Sequence, residues 1–356
     1  MTGGRGRFYS RRAVRALVIA AWLGWLPGIR AQLPSNPATL TDRGLGLAQE
    51  GRVAEAADLW QQALKTAPDY FPALFNLGYM HFSAGRLENA KPFLARAAAV
   101  SPSDFNAHYL LGATNQKLDR GDEALRAWNR ALEVRPDHVQ LMQVMAVEYG
   151  KGRYHREAAD IAMRALRLRP DIEDLHYMAI HACREAGDLD AGLKVAADAS
   201  TRYPRSARAS FEYAWYLQKD GRFAEALPFL RKAIQLDPNY EEPHFFYGDW
   251  LVKQARYEEA LEPLGKAVAL RTDYIPARIS MARALMGVKK WKEAVDALEE
   301  AVRIEPRHPQ PHLLMSQVYF RLRDRPKARA AKELSLRLRR QNPTFLEAVQ
   351  SRPFPD

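Results

Sequence analysis

The sequence predicts an all-α solenoid built from nine helix pairs. One motif recurs every 34 residues from Pro37 to Asn342, with no insertion or deletion between copies. When Pro37 is counted as position 1, position 20 is alanine or glycine in all nine copies and position 27 is alanine in eight. Proline occupies position 32 in seven copies. A period in this range is typical of a solenoid, in which each copy packs mainly on its neighbours.

Each copy is predicted to contain two short amphipathic helices. In residues 207–240, apolar residues follow helical spacing up to Leu217 and again up to Ala233, with interruptions at Gly221 and Pro238. Glycine at position 15 is expected to end the first helix in the left-handed conformation. Proline at position 32 cannot continue the second helix, and the Asp, Asn or Ser after it is expected to cap the next one. Those expected caps are Asp69, Ser103, Asp137, Asp171 and Asn239.

The repeat resembles the tetratricopeptide repeat family. The shared features are small residues at positions 8, 20 and 27, large apolar residues at positions 7, 11 and 24, and proline at position 32. The resemblance covers residues 37–342. It implies antiparallel helix pairs stacked into a right-handed superhelix, whose first helices line a concave groove. It also implies that this groove binds a peptide or a partner protein.

The fifth copy departs from the pattern. Position 8 is small in the other copies but is Ile180 here, and position 20 is Gly192 where the other copies have alanine. A large-for-small exchange conserves volume, so Ile180 is predicted to pack onto Gly192.

Residues 1–31 are predicted to be a signal peptide. Five arginines from Arg5 to Arg15 precede an apolar run, Ala16 to Leu26, and a small-residue cleavage site ends at Ala31. The apolar run is short beside the roughly 20 residues of a membrane-spanning helix. The mature chain is therefore expected in the bacterial periplasm or outside the cell, with an uncleaved signal anchor as the alternative.

The remaining boundaries follow from composition. Residues 32–36 are predicted to be a short linker, residues 37–342 the nine repeats, and residues 343–356, with three prolines, an irregular tail. The last helix, within residues 325–340, is expected to be a polar cap, because the open end of a solenoid faces solvent. Binding of this basic helix to an anionic lipid or polysaccharide is the alternative.

The net charge of +11 does not indicate a nucleic-acid-binding protein. Residues 1–31 carry six arginines and no acid, and residues 321–340 carry nine basic residues against two acidic ones. Residues 32–320 carry 37 basic against 38 acidic residues. The repeats therefore lack the continuous basic face that nucleic-acid binding requires.

No motif predicts catalysis, a metal site or a cofactor. The chain contains no His-Glu-x-x-His, Gly-x-Ser-x-Gly, phosphate loop or paired-cysteine site. Cys183 is the only cysteine and falls at an inward position, where a buried apolar role is expected. Four histidines recur at position 4 of alternate copies, and metal binding is rejected because such residues lie too far apart. They are His108, His176, His244 and His312.

The predicted binding residues lie on the first helices. In the family, positions 2, 5, 9, 12 and 13 face the groove, and here they carry aromatic and basic side chains. Aromatic residues are enriched in binding hot spots, although some of them could instead close seams between helices. The predicted aromatic set is Phe75, Tyr79, Phe82, Tyr109, Tyr177, Phe211, Trp215 and Phe245. The predicted basic set is Lys117, Lys151, Arg184, Lys219 and Lys253.

These residues predict a scaffold that binds a peptide or protein, since four lysines in one column suit acidic side chains. The alternative is a polysaccharide-binding subunit of a machine that assembles or exports an envelope polymer, with the same aromatics serving as sugar platforms. A cytosolic adaptor for heat-shock chaperones is excluded, because no copy has the family's Lys at position 5 or Asn at position 9. An enzyme is not predicted.

Overall fold

The computed structural model describes residues 36–341, which form eighteen α-helices in nine consecutive pairs and, within that range, no strand. The first helices of the pairs are α1 (Pro37–Gln49), α3 (Phe71–Ser83), α5 (Phe105–Lys117), α7 (Val139–Lys151), α9 (Glu173–Ala186), α11 (Ala207–Lys219), α13 (Glu241–Lys253), α15 (Ile275–Gly287) and α17 (Pro309–Arg321). The second helices are α2 (Val53–Thr66), α4 (Leu87–Val100), α6 (Gly121–Val134), α8 (His155–Leu168), α10 (Leu189–Arg202), α12 (Phe223–Leu236), α14 (Tyr257–Leu270), α16 (Trp291–Ile304) and α18 (Arg325–Gln341). Every first helix begins at position 1 and every second helix at position 17, so the predicted helix pairs are confirmed. The predicted signal peptide and tail lie outside the described residues.

The chain divides into two compact units, residues 1–77 and residues 78–356. In the described part of the first unit, Trp60 is buried and its indole nitrogen donates to the carbonyl oxygen of Thr41 at 3.2 Å. In the second unit, one apolar cluster runs from Phe105 to Ala233, and smaller clusters continue through the later helices. A continuous series of local cores is what a repeat architecture predicts.

The columns of small residues allow helices to approach closely. Every alanine at position 27 is completely buried. Glycine at position 8 leaves space for the large residue at position 24: a Cβ on Gly112 would lie 2.3 Å from Trp128, and one on Gly248 would lie 2.6 Å from Leu264. Small and large residues therefore interlock within each of these copies, as ridges-into-grooves packing requires.

In the fifth copy, the space beside Gly192 is filled by the next copy. A Cβ on Gly192 would lie 2.2 Å from the Tyr216 ring, so Tyr216 of the next copy fills that space. The Tyr216 hydroxyl donates to the carbonyl oxygen of Ile180 at 2.7 Å, so one side chain contacts both residues of the predicted exchange. Direct packing of the Ile180 side chain onto Gly192 stays a prediction.

The turn after the first helix is left-handed in all nine copies. Position 15 has a positive φ whether it is glycine, as at Gly221 (77°), or another residue, as at Ala255 (57°) and Lys289 (63°). The glycine prediction is thus confirmed, and the five copies without glycine accept a conformation that costs an L-residue about 1–2 kcal/mol.

The caps of the first helices lie one residue later than the sequence predicts. Asp104, not Ser103, caps α5, and its carboxylate accepts from the Ala107 amide at 2.8 Å. Ser206 caps α11 in the same way, accepting from the Ala209 amide at 3.2 Å. Positions 32 and 33 form the turn, as Pro102 and Ser103 do, so position 34 is the residue that directly precedes the first helix and can cap it.

Candidate functional site

The first-helix face, defined as the side chains at positions 2, 5, 9, 12 and 13 of the first helices within residues 78–341, is the candidate site. Position 5 packs against position 34 of the same copy in four copies of the second unit. The rings of Phe211 and Tyr240 lie 5.2 Å apart, and those of Phe245 and Tyr274 lie 4.9 Å apart. The same column pairs Tyr109 with His138, with ring centroids 6.3 Å apart.

Tyr177 takes the same place but forms hydrogen bonds. Its hydroxyl contacts the Ser206 hydroxyl at 2.7 Å and donates to the Glu173 carboxylate at 2.5 Å. Burial and the Glu173 hydrogen bond raise the pKa of the Tyr177 hydroxyl well above its usual range, so it stays protonated. Position 5 thus packs on the last residue of its own copy, where the chain enters the next first helix, and such packing between helices is the role that the sequence left open beside ligand binding. A direct role of these rings in binding stays a prediction.

The three aromatic residues of α3 differ in exposure. Tyr79 is 46% exposed, whereas Phe75 and Phe82 are half-buried. Phe75 stacks on Phe71 in the first unit, with 5.8 Å between ring centroids. Of this set, Tyr79 has the free surface that a ligand needs.

The four lysines of position 13 are all exposed but have different partners. The ammonium group of Lys151 lies 3.4 Å from the Glu148 carboxylate, and that of Lys253 lies 2.8 Å from Asp249. Lys117 and Lys219 form no ion pair with any residue from 36 to 341. The ammonium group of Lys219 instead lies 5.1 Å from the centre of the Trp215 indole. The four lysines therefore differ in whether a neighbouring carboxylate compensates their charge.

Arg184, Trp215 and Lys219 form one cluster. The Arg184 guanidinium lies 4.1 Å from the same indole, and it is paired with Glu212. Trp215, Arg184 and Glu212 are largely buried, with 7% of the residue and 13% and 8% of the side chains exposed. Burial, and then the charges of Arg184 and Lys253, lower the pKa of Lys219. An anion placed beside Lys219 would relieve that repulsion.

Arg208 and Val147 are among the residues of the face that were not singled out from the sequence. Arg208, at position 2 of α11, is exposed and lies 4.2 Å from the centre of the Tyr177 ring. Val147, at position 9 of α7, is 53% exposed. Both occupy positions that the family resemblance assigns to the groove, so the signal was present in the register of the repeat.

The position-4 histidines are buried structural residues. The Nε2 atoms of His108 and His244 lie 3.1 and 3.0 Å from the carbonyl oxygens of Pro102 and Pro238. His176 differs, with its Nε2 3.0 Å from the Asp198 carboxylate. Each ring therefore satisfies a polar group at the turn that precedes it or on the neighbouring second helix. Within residues 36–341, no three His, Cys, Asp or Glu side chains are grouped so that they could hold a metal ion.

Residues 36–341 also include no helix with the length and apolar character needed to cross a membrane.

Family models match three parts of the chain. Two models of the tetratricopeptide repeat match residues 47–111 and 177–241, and a model described as anaphase-promoting complex, cyclosome, subunit 3 matches residues 219–301. No curated protein matches the chain.

Several solved structures have a similar fold. The Cut9–Hcn1 hetero-tetramer of the APC/C is 13% identical, covers 88% of this chain and 62% of its own chain, and has a TM-score of 0.52. Yeast Tom70 is 15% identical over 90% of this chain and 88% of its own, with a TM-score of 0.44. MamA from Desulfovibrio magneticus RS-1 is 19% identical over 48% of this chain and 96% of its own, also with a TM-score of 0.44.

The Cut9–Hcn1 similarity supports the fold of paired helices, and the repeat models match two separate stretches of the described residues. The chain belongs to the tetratricopeptide repeat family.

Proposed function

We propose that this protein is an exported scaffold that binds a peptide or protein partner on its first-helix face. The observation that carries the proposal is the exposure of large apolar side chains among cations on this face. Tyr79 and Val147 are about half exposed, while Lys117, Arg208 and Lys219 supply positive charge without ion-pair partners among residues 36–341. Exposed aromatic and basic groups together are typical of binding surfaces.

The proposal is tested by affinity capture from a bacterial envelope fraction with the full chain. A variant of the first-helix face, called the groove variant, carries Tyr79→Ala, Val147→Ser and Lys219→Gln, all at exposed positions. The matched control carries Val100→Ser and Leu168→Ser, two exposed apolar residues of second helices. A partner retained by the wild type and the control but lost by the groove variant supports the proposal. Equal capture by all three proteins contradicts it.

Ionic strength separates a peptide partner from the polysaccharide alternative. Binding of acidic groups to exposed lysines weakens as salt screens the charges, with a Debye length of about 8 Å at 0.15 M and about 3 Å at 1 M. Stacking of a neutral sugar on Tyr79 would not weaken. Capture that persists unchanged at 1 M salt and is competed by a neutral glucan would favour the polysaccharide role.

Export is proposed from the basic and apolar segments of residues 1–31. A fusion of residues 1–31 to alkaline phosphatase, which is active only after it leaves the bacterial cytoplasm, tests it. The fusion is expected to be active, and Val18→Arg, which breaks the apolar run, is expected to abolish the activity. An inactive wild-type fusion would contradict export but would leave the binding proposal intact.

A further inference from the structure

Helix α11 has one exposed cation near each of its two ends, and both occupy positions of the first-helix face. Arg208 lies at position 2 and Lys219 at position 13. Each stands on an aromatic ring: Arg208 is 4.2 Å from the centre of Tyr177, and Lys219 is 5.1 Å from that of Trp215. Neither forms an ion pair with a residue from 36 to 341.

The rings under the two cations are held firmly. Tyr177 is fixed by its hydrogen bonds to Ser206 and Glu173, and both it and Trp215 are buried. A charged side chain that stacks on a fixed ring loses less conformational freedom when it binds a ligand. The two cations are therefore placed for binding before the ligand arrives.

The charged side chains near Arg208 and Lys219 already have ion-pair partners. Glu212, at position 6 of α11, is paired with Arg184. Beyond Lys219, Lys253 is paired with Asp249, whose carboxylate also accepts from the Ser280 hydroxyl at 2.6 Å. Along α11 the uncompensated charge is therefore positive at Arg208, absent at Glu212 and positive again at Lys219. Burial, and then the charges of Arg184 and Lys253, lower the pKa of Lys219, and an anion beside Lys219 would relieve that repulsion.

The separation of the cations sets the spacing of the groups that fit them. Arg208 and Lys219 are eleven residues apart, which is about 16 Å along a helix that rises about 1.5 Å per residue. An extended peptide advances about 3.3 Å per residue and its side chains alternate between two faces, so side chains four residues apart share a face and lie about 13 Å apart. Two carboxylates at that spacing would reach both cations, because the flexible Glu, Arg and Lys side chains cover the remaining distance.

We propose that α11 binds an acidic peptide through two carboxylates, one on Arg208 and one on Lys219, about 16 Å apart. This inference rests on the proposed function and specifies its ligand. Arg208 offers a planar donor pair that suits bidentate contact with a carboxylate, and Lys219 offers a compact charge. A peptide with one acidic residue, or with two adjacent ones, engages one end only.

The test uses three fluorescein-labelled decapeptides of glycine and serine, measured by fluorescence anisotropy with the full chain at low salt. One carries two glutamates at a spacing of four residues, one carries two adjacent glutamates, and one carries two glutamines. The spaced peptide is expected to bind about tenfold more tightly than the adjacent one and tighter still than the neutral one. Arg208→Gln and Lys219→Gln are each expected to weaken the spaced peptide about tenfold.

Lys194→Gln is the matched control. Lys194 lies on the second helix α10, outside the first-helix face, is exposed and forms no ion pair within residues 36–341, so its loss lowers the net charge equally. Its affinity for the spaced peptide is expected to stay within about twofold of the wild type. Thermal denaturation of each variant by circular dichroism establishes that it is folded.

Several outcomes would overturn the inference. If spacing has no effect, or if Lys194→Gln weakens binding as much as Lys219→Gln, the interaction is general charge attraction and the proposed function survives. If no peptide binds while the envelope partner is still captured, the ligand class is wrong. If a polyuronate displaces the spaced peptide and its binding depends on the same two residues, the ligand is an acidic polysaccharide.

Discussion

The third and fifth copies meet the same packing requirement in different ways. In the third copy, Gly112 makes room for Trp128 of the same copy, and the indole donates to the Tyr109 carbonyl oxygen at 3.1 Å. In the fifth copy, the space above Gly192 is filled by Tyr216 of the sixth copy, which donates to Ile180. One small-large pair stabilises a copy internally, and the other joins two copies.

The difference has a structural consequence for the binding face. Trp215, the neighbour of Tyr216, supports Arg184 and Lys219, so the inter-copy pair lies directly beside the cationic cluster. A repeat array gains its cohesion from contacts between neighbours. We therefore expect the boundary between the fifth and sixth copies to be stiffer than that between the third and fourth.

The largest effect is expected from adding a methyl group at either glycine. In Gly112→Ala or Gly192→Ala, the new Cβ would lie 2.2–2.3 Å from the ring of a fully buried aromatic residue. Displacing such a ring should lower the free energy of unfolding by about 2–3 kcal/mol. Chemical denaturation measures the change.

Gly150→Ala is the control for these two variants. Gly150 lies in α7 with no atom within 4 Å of the new Cβ, so alanine should be neutral or stabilising by up to about 1 kcal/mol. A large loss of stability in Gly150→Ala, or none in Gly192→Ala, would contradict the packing described for the fifth copy.

The next effect concerns the hydrogen bond between the fifth and sixth copies. Tyr216→Phe keeps the ring that fills the space beside Gly192 but removes the donor to Ile180. We expect a loss of about 1 kcal/mol, the usual net value of a buried neutral hydrogen bond. Amide hydrogen exchange should rise in α9 and α11 but stay unchanged in α5. Faster exchange spread evenly over all repeats would argue against a local inter-copy link.

A smaller effect is expected at the turns of the sixth and seventh copies. Gly221 and Ala255 both have a positive φ, which favours glycine. Ala255→Gly should raise the free energy of unfolding by about 0.5 kcal/mol, because relief of strain exceeds the added entropy of glycine in the unfolded chain. Gly221→Ala should lower it by about 1 kcal/mol. Opposite signs at the two positions, read from denaturation midpoints, are the result to look for.

The smallest effect is chemical rather than energetic. Burial raises the pKa of the Cys183 thiol to about 11, so almost no thiolate exists at pH 8. We expect the native protein not to react with a thiol reagent at pH 8, whereas the unfolded chain should react within minutes. Rapid modification of the folded protein would mean that the fifth copy opens more readily than its packing implies.

The sequence by itself determined the helix pairs and their register. Proline at position 32, the left-handed position 15 and the alanine columns depend on local backbone geometry and on contacts that recur in each copy. A signal repeated nine times, as in the column of small residues from Ala56 to Ala328, is readable without a structure. The positions of the face were likewise available from the family resemblance.

Only the tertiary structure decided what happens where the pattern is broken or where a residue has two neighbours. It pairs Gly192 with Tyr216 and Phe211 with Tyr240, and it leaves Lys219 without the carboxylate that Lys253 has. Gly192 and Tyr216 lie in adjacent copies, whereas Phe211 and Tyr240 lie in one copy, and the side chains that meet differ from copy to copy. Periodicity averages over copies, so it cannot report which neighbour fills a given space or neutralises a given charge.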